Sequence, residues 1–214
     1  MIKNIAFIIT SVIYPSSKPL SYTSTRSIFT PKERELQTIE TIKSIRRKYY
    51  NAKIILLEMG LRKDIDQELI SLTDKYIFIG NNLIVRHACD SKYKGLGEAI
   101  GLIISNKKIP KSEDYYFKIS GRYYLTNNHD PKQFASKKWV VKSYGYDIST
   151  RLYGFPNSLL NSWRSALIRT LPRLSIGHSI EHVLPKHINA NVIQRIPLLG
   201  VAGFVAPNGE LLEE

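Results

Sequence analysis

The 214-residue sequence contains one cysteine, Cys89, so no disulfide can form within the chain and no Cys-ligated zinc site can be built. Nothing in it calls for an oxidising compartment. It also has no hydrophobic run near the roughly 20 residues that cross a bilayer. The apolar segment Ile5 to Ile13 follows Lys3 in a way that imitates a secretory leader. That imitation fails at Tyr14-Pro15-Ser16-Ser17, which offers no small-residue cleavage site, and the β-branched residues of the run suit a strand. A cytoplasmic protein is expected. Acidic residues are scarce, 18 Asp and Glu against 31 Lys and Arg, and the formal charge of +13 predicts an anionic partner: nucleic acid, phospholipid or a phosphorylated small molecule. No GxxxxGK[ST] loop, strand-borne GxGxxG, GxSxG elbow or HExxH helix is present, which leaves P-loop, standard dinucleotide, α/β-hydrolase and zincin chemistry without support. What remains is ordinary globular composition, 43% hydrophobic and 23% charged, which excludes disorder of the whole chain.

The pattern of elements predicts an α/β fold. Ile5 to Ile13 reads as a buried parallel strand, followed by a polar loop from Tyr14 to Phe29. Thr30-Pro31-Lys32-Glu33 spells a capping box with proline at the first helical position, and Leu36, Ile39, Ile42, Ile45 and Tyr49 mark one face of the helix it opens. Ala52 to Glu58 reads as a second strand, closing a β-α-β unit. A helix from Lys63 to Leu72, a strand from Tyr76 to Ile79, a loop through Asn81 and Asn82, and a helix opening near Gly95 follow. Strands are predicted over 112–119 and 139–143, a helix capped by Asn157 carries Leu159, Leu160, Trp163 and Leu167, a short helix begins near Ser179, and Leu198 to Ala206 reads as a last strand. With no repeat and no linker, residues 1–214 are expected to form one domain.

The stretch Ser112 to Leu125 is the most distinctive: a strand, then Ser120-Gly121-Arg122, a glycine break carrying a cation, then Tyr123 and Tyr124. Together with the opening β-α-β unit, the helix start Lys94-Gly95-Leu96-Gly97-Glu98-Ala99 and the late acid in Ile180-Glu181-His182, it resembles the GT-A glycosyltransferases. The resemblance implies a single Rossmann-like domain with a mostly parallel sheet flanked by helices. It implies transfer of a sugar from a nucleotide-sugar donor to a polysaccharide or glycoconjugate hydroxyl. In that family the strand before Ser120 ordinarily ends in an Asp-x-Asp metal motif, and Ser120-Gly121-Arg122 departs from it. A guanidinium can neutralise a diphosphate through bidentate hydrogen bonds, so the reading is a metal-independent enzyme with Arg122 in the metal's place and no cofactor; the alternative is that Arg122 only forms an ion pair within the fold. Asp64-Ile65-Asp66 is the chain's own Asp-x-Asp, and it reads as a helix start, where acids complement the dipole.

The same resemblance makes Glu181 the candidate general base, with His182 orienting it or sharing its proton, and implies inversion at the anomeric carbon. Ligands of open α/β sheets bind beyond the carboxyl ends of the strands, so Thr10, Ser11 and Arg26 are candidates for contacts to base and phosphates and Glu58 for ribose or base. Lys118, with Arg122, is assigned to the leaving phosphate, Gly121 to close backbone approach, Ser120 and Gly95 to the same wall, Glu98 to sugar hydroxyls, and Tyr123 to packing or stacking on sugar or base. His178 and His182 lack an acidic or Cys partner at metal spacing, so no metal site is expected. Basic runs such as 43–48 and 137–138 read as solvated faces that can attract an anionic glycan or membrane surface. Two other classes fit the charge: a nucleic-acid-binding α/β module, weakened by the absence of RRM, KH or OB signatures, and a transferase-like domain that binds glycans without turnover.

Overall fold

The structure is a computed structural model that describes residues 4–214; the Lys3 flank of the leader-like N-terminus lies outside the described residues. Strand β1, Ile5–Ser11, pairs in parallel with β2, Lys53–Glu58, and β2 with β3, Lys75–Phe78. On its other edge β1 pairs in parallel with β4, Tyr115–Ser120, and the sheet continues antiparallel through β8, Leu152–Pro156, to β6, Trp139–Tyr144. The short strand β7, Asp147–Ile148, and β9, Ile193–Ile196, both pair with β6, completing an eight-stranded mixed sheet. The fold is therefore α/β, as predicted. Strand β1 is continuously apolar because both its faces are covered: Ala6 and Ile8 join one core with Ile55 and Leu57, while Phe7 and Ile9 join the other with Ile54 and Leu56.

Helix α1, Pro31–Lys48, carries the predicted capping box, with the Glu33 amide donating to Thr30 Oγ1 and the Thr30 amide to the Glu33 carboxylate. Ile39, Ile42 and Ile45 are buried as expected, whereas Leu36 faces solvent. The helix read over Lys63 to Leu72 shrinks to α2, Gln67–Ser71, because Asp66 caps it, accepting from the Glu68 amide. That accounts for one acid of the Asp-x-Asp, and Lys32 pairs with the same carboxylate. Asn82, read as loop, caps an unpredicted helix, α3, Leu83–Asp90, whose exposed Leu83 and Ile84 blur its period. Helix α4, Lys94–Ser105, packs closely on it: a Cβ at Gly97 would stand 3.0 Å from Cys89 Cα.

The second half departs further from the sequence reading. A three-residue 3-10 turn, Asn157–Leu159, precedes α5, Leu160–Leu174, so Asn157 does not cap that helix; its side chain donates to the Lys111 carbonyl. Strand β8 was not predicted. Its Gly154, a poor strand residue, makes room for the Tyr115 ring, which a Cβ would meet at 2.6 Å. The expected last strand shortens to β10, Val201–Phe204, and leaves the main sheet. It pairs antiparallel with β5, Tyr123–Leu125, and with β11, Leu211–Glu213, forming a small second sheet.

Candidate active site

The chain leaves β1 toward β2 on one side and returns to β4 on the other, so the carboxyl ends of β1 and β4 flank a topological switch point, where open α/β sheets form a crevice. Thr10 pairs with Ser120 across it. A cavity of about 400 Å³ opens there. Its wall includes Thr10, Ser11, Arg26, Gly95, Glu98, Ser120, Arg122, Tyr123 and Glu181 among the residues singled out from sequence, and Tyr22, Arg34, Lys94, Thr150 and Arg151, which sequence reasoning missed. Glu181 belongs to α6, Ile180–Val183, whose cap Ser179 accepts from the His182 amide.

The wall is cationic, and part of that charge is unmatched. Lys94 makes no hydrogen bond or ion pair among the described residues, and Arg122 reaches only the Phe204 carbonyl, at 3.4 Å. The ion-pair alternative for Arg122 therefore has no partner here. Arg34, 5% exposed, donates to the Val12 carbonyl at 2.6 Å and the Ser27 hydroxyl at 2.9 Å, neither of them charged. Burial first, and then the Arg122 charge, push the Arg34 guanidinium below its ordinary range. The same two causes lower Lys94 to about 8: the residue as a whole is exposed, but its ammonium is crowded by the cleft walls and stands near Arg122. Arg34 and Lys94 both stand in the first turns of their helices, α1 and α4, where a cation opposes the dipole. That unfavourable placement is a signal readable from sequence, because a helix start that tolerates a cation is one prepared for an anion. Arg151 and Thr150 carry no such signal; they precede β8, a strand the sequence pattern does not reveal.

Several sequence assignments are corrected by position. Glu58 is 0% exposed and takes the Ile13 and Gly60 amides at 2.9 and 2.6 Å, so it shapes the loop after β2 and cannot reach a ribose. Burial pushes its carboxyl up against those hydrogen bonds. Lys118 is also 0% exposed; it pairs with Glu98 and donates to the Thr150 carbonyl at 2.6 Å and the Ser120 hydroxyl at 3.1 Å, which leaves it below the cleft and out of reach of a phosphate. Gly121 is absent from the main wall. Its carbonyl accepts from Thr38 and a Cβ there would meet Thr38 Oγ1 at 3.1 Å, so it serves the packing of α1. Gly95 lines the wall but has its own packing reason, since a Cβ would stand 3.2 Å from that of Ile180.

Tyr123 is 4% exposed, with the Arg151 guanidinium 5.5 Å from its ring centre and donating to its hydroxyl at 3.1 Å, so of its two readings packing is the one that fits. Arg26 spans the β1-α1 loop and α3, donating to the carbonyls of Lys18, Asp90 and Ser91. His182 does not orient Glu181. It bonds Asp147 Oδ1 at 2.7 Å through Nδ1 and Lys186 through Nε2, off the cleft wall. Thr150 does orient Glu181, donating from Oγ1 to Oε1 at 2.8 Å, and Oε2 has no hydrogen-bond partner among the described residues. Tyr22, 65% exposed, stands at the mouth on the β1-α1 loop, near enough to Glu181, Arg122 and Arg26 to feel their charges.

Among the described residues no group of three or more His, Cys, Asp or Glu side chains is placed to hold a metal ion, and of the two acids on the wall, Glu98 and Glu181, the first is paired with Lys118. Nor is any described helix long and apolar enough to cross a membrane.

No family model matches the chain, and no curated protein matches its sequence. Among solved structures the chain is similar to the galactosyltransferase LgtC in complex with donor and acceptor sugar analogues, with a TM-score of 0.48, 9% identity, and coverage of 90% of this chain and 73% of that one. An active-site mutant of LgtC gives 0.49, 9%, 90% and 72%. Mouse xyloside xylosyltransferase 1 gives 0.45, 7%, 90% and 84%. At these values the chemistry of the cleft has to be read from its own residues.

Proposed function

We propose that the chain is a GT-A-like glycosyltransferase that moves a sugar from a nucleotide-sugar donor to a hydroxyl of a glycan or glycoconjugate, with inversion and without a metal. The carrying observation is the convergence of unmatched cations, Arg34, Lys94 and Arg122, with one half-engaged carboxylate, Glu181, in a crevice at the sheet's switch point. A diphosphate held by the cations supplies the charge they lack. As the bond from the anomeric carbon to the phosphate oxygen breaks, the leaving group gains negative charge, and a guanidinium already in place stabilises it without reorganisation. The acceptor oxygen forms the new bond from the opposite face while its proton passes to Glu181 Oε2, the oxygen Thr150 leaves free. Glu98, held on the cleft wall by Lys118, takes sugar hydroxyls in this reading. A cleft of about 400 Å³ has room for a nucleotide and none for a duplex, which favours the transferase over a nucleic-acid module.

A thermal-shift screen against UDP, GDP, CMP and their sugar conjugates, with EDTA and with Mn²⁺, tests this reading. Ligand at about 100-fold over Kd is worth about 2.7 kcal/mol of added stability. One nucleotide class is expected to raise Tm equally in EDTA, and Arg122→Ala to abolish the rise. A shift that needs Mn²⁺ refutes the metal-independent part, and no shift with any nucleotide refutes the whole.

A further inference from the structure

Of the buried carboxylates that the proposed chemistry does not use, Glu214 is in an ion pair with a cation of the cleft wall. Glu214 is 3% exposed, and its backbone continues the pairing of β11 with β10 through the Val201 amide and carbonyl at 3.0 and 2.8 Å. Its carboxylate accepts from Arg151 Nη1 at 2.7 Å, from the Ser149 hydroxyl at 2.6 Å and from the Tyr144 hydroxyl. Tyr144 ends β6, and Ser149 and Arg151 lie on the segment from β7 to β8, so one side chain ties the small sheet to the large one. Arg151, a residue of the cleft wall, in turn spends Nε on Tyr123 and lies over its ring, and its Nη2 makes no hydrogen bond among the described residues.

Arg151 also stands near Lys94 and Arg122, like charges that repel it. Among the described residues nothing else of opposite charge lies within ion-pair distance of it. We propose that Glu214 is a positioning residue for the donor site: by pairing with Arg151 it holds that guanidinium on the cleft wall against Lys94 and Arg122, with one edge free for the diphosphate. The inference rests on the transferase reading, and it adds a residue that does not itself line the cleft. Desolvating a carboxylate is costly, and its three donors offset that cost only while Arg151 stays where it is.

The test is calorimetric titration of the full chain with inorganic pyrophosphate, comparing wild type, Glu214→Gln, Arg151→Ala and the double variant. Glutamine keeps the shape and one acceptor oxygen for these hydroxyls but loses the charge that attracts Arg151. Affinity is expected to fall about tenfold in each single variant, the size of one lost charge-assisted hydrogen bond, and no further in the double variant. Glu214→Asp, which keeps the buried charge but shortens its reach, is expected to lose roughly threefold and covers the case in which glutamine does not fold. A purely structural role would lower Tm and leave pyrophosphate affinity intact. Wild-type affinity in Glu214→Gln or Glu214→Asp, or additive losses in the double variant, overturns the inference while the transferase reading stands. Failure of wild type to bind pyrophosphate overturns both.

Discussion

Lys118 and Lys94 both have Glu98 as an acidic neighbour, and the fold treats them in opposite ways. Lys118 lies beneath the cleft, wholly buried, with a carboxylate, a carbonyl and a hydroxyl around its ammonium. Lys94 stands in the cleft with no hydrogen-bonded partner, beside Arg122 and with its proton affinity lowered. The floor is thus electrostatically finished, while the wall holds charge the protein alone does not satisfy. Buried charge matched by protein groups supports structure; partly buried charge left unmatched is a site waiting for a ligand of opposite sign. The floor should then fail by unfolding and the wall by losing function while staying folded.

The widest separation is expected from Glu181→Gln on the wall. Removing a general base lowers kcat by about a thousandfold, within the ordinary 10²–10⁴ range for such groups, and Tm should not fall. A kcat within threefold of wild type would break the assignment. On the floor, Lys118→Ala leaves the Glu98 carboxylate without its counter-ion and is expected to cost about 3 kcal/mol in urea unfolding. Lys118→Ala with unchanged stability would erase the distinction between the two regions.

The smallest effect is one of pH. Below about 8 the Lys94 ammonium is charged and can meet a phosphate, and a bound phosphate raises its pKa back toward the ordinary 10.5. Affinity for the nucleotide is therefore full below pH 8 and falls as pH rises through that value, by up to about tenfold per pH unit until the bound-state pKa is passed. Binding in that window takes up a proton, which calorimetry in buffers of different ionisation enthalpy detects, and Lys94→Met should remove the uptake.

How much was readable without coordinates differs along the chain. The first sixty residues were legible because local rules govern them: a capping box fixes the start of α1, and a run buried on both sides fixes β1 and β2. Strand β8 was not, because Gly154 is chosen for the Tyr115 ring, a neighbour that only folding supplies. The same division runs through the site. Thr10, Ser11, Ser120, Arg122 and Glu181 lie at strand ends or a helix start, where pattern and position coincide, and they meet in one cleft. Lys118 and Glu58 lie in strands β4 and β2 too, but their surroundings, not their sequence positions, put them out of a ligand's reach.

The sequence by itself determined the α/β class, the excess of positive charge and the absence of an Asp-x-Asp where the resemblance would place one. Those follow from periodicity, composition and residue identity, which need no neighbours. Only the tertiary structure decided which cations are matched and which are free, that Thr150 and not His182 holds Glu181, and that Glu214 reaches Arg151. Charges interact through space over a few ångströms while the sequence separates them by tens of residues, so the balance of a site is settled only when the chain has folded.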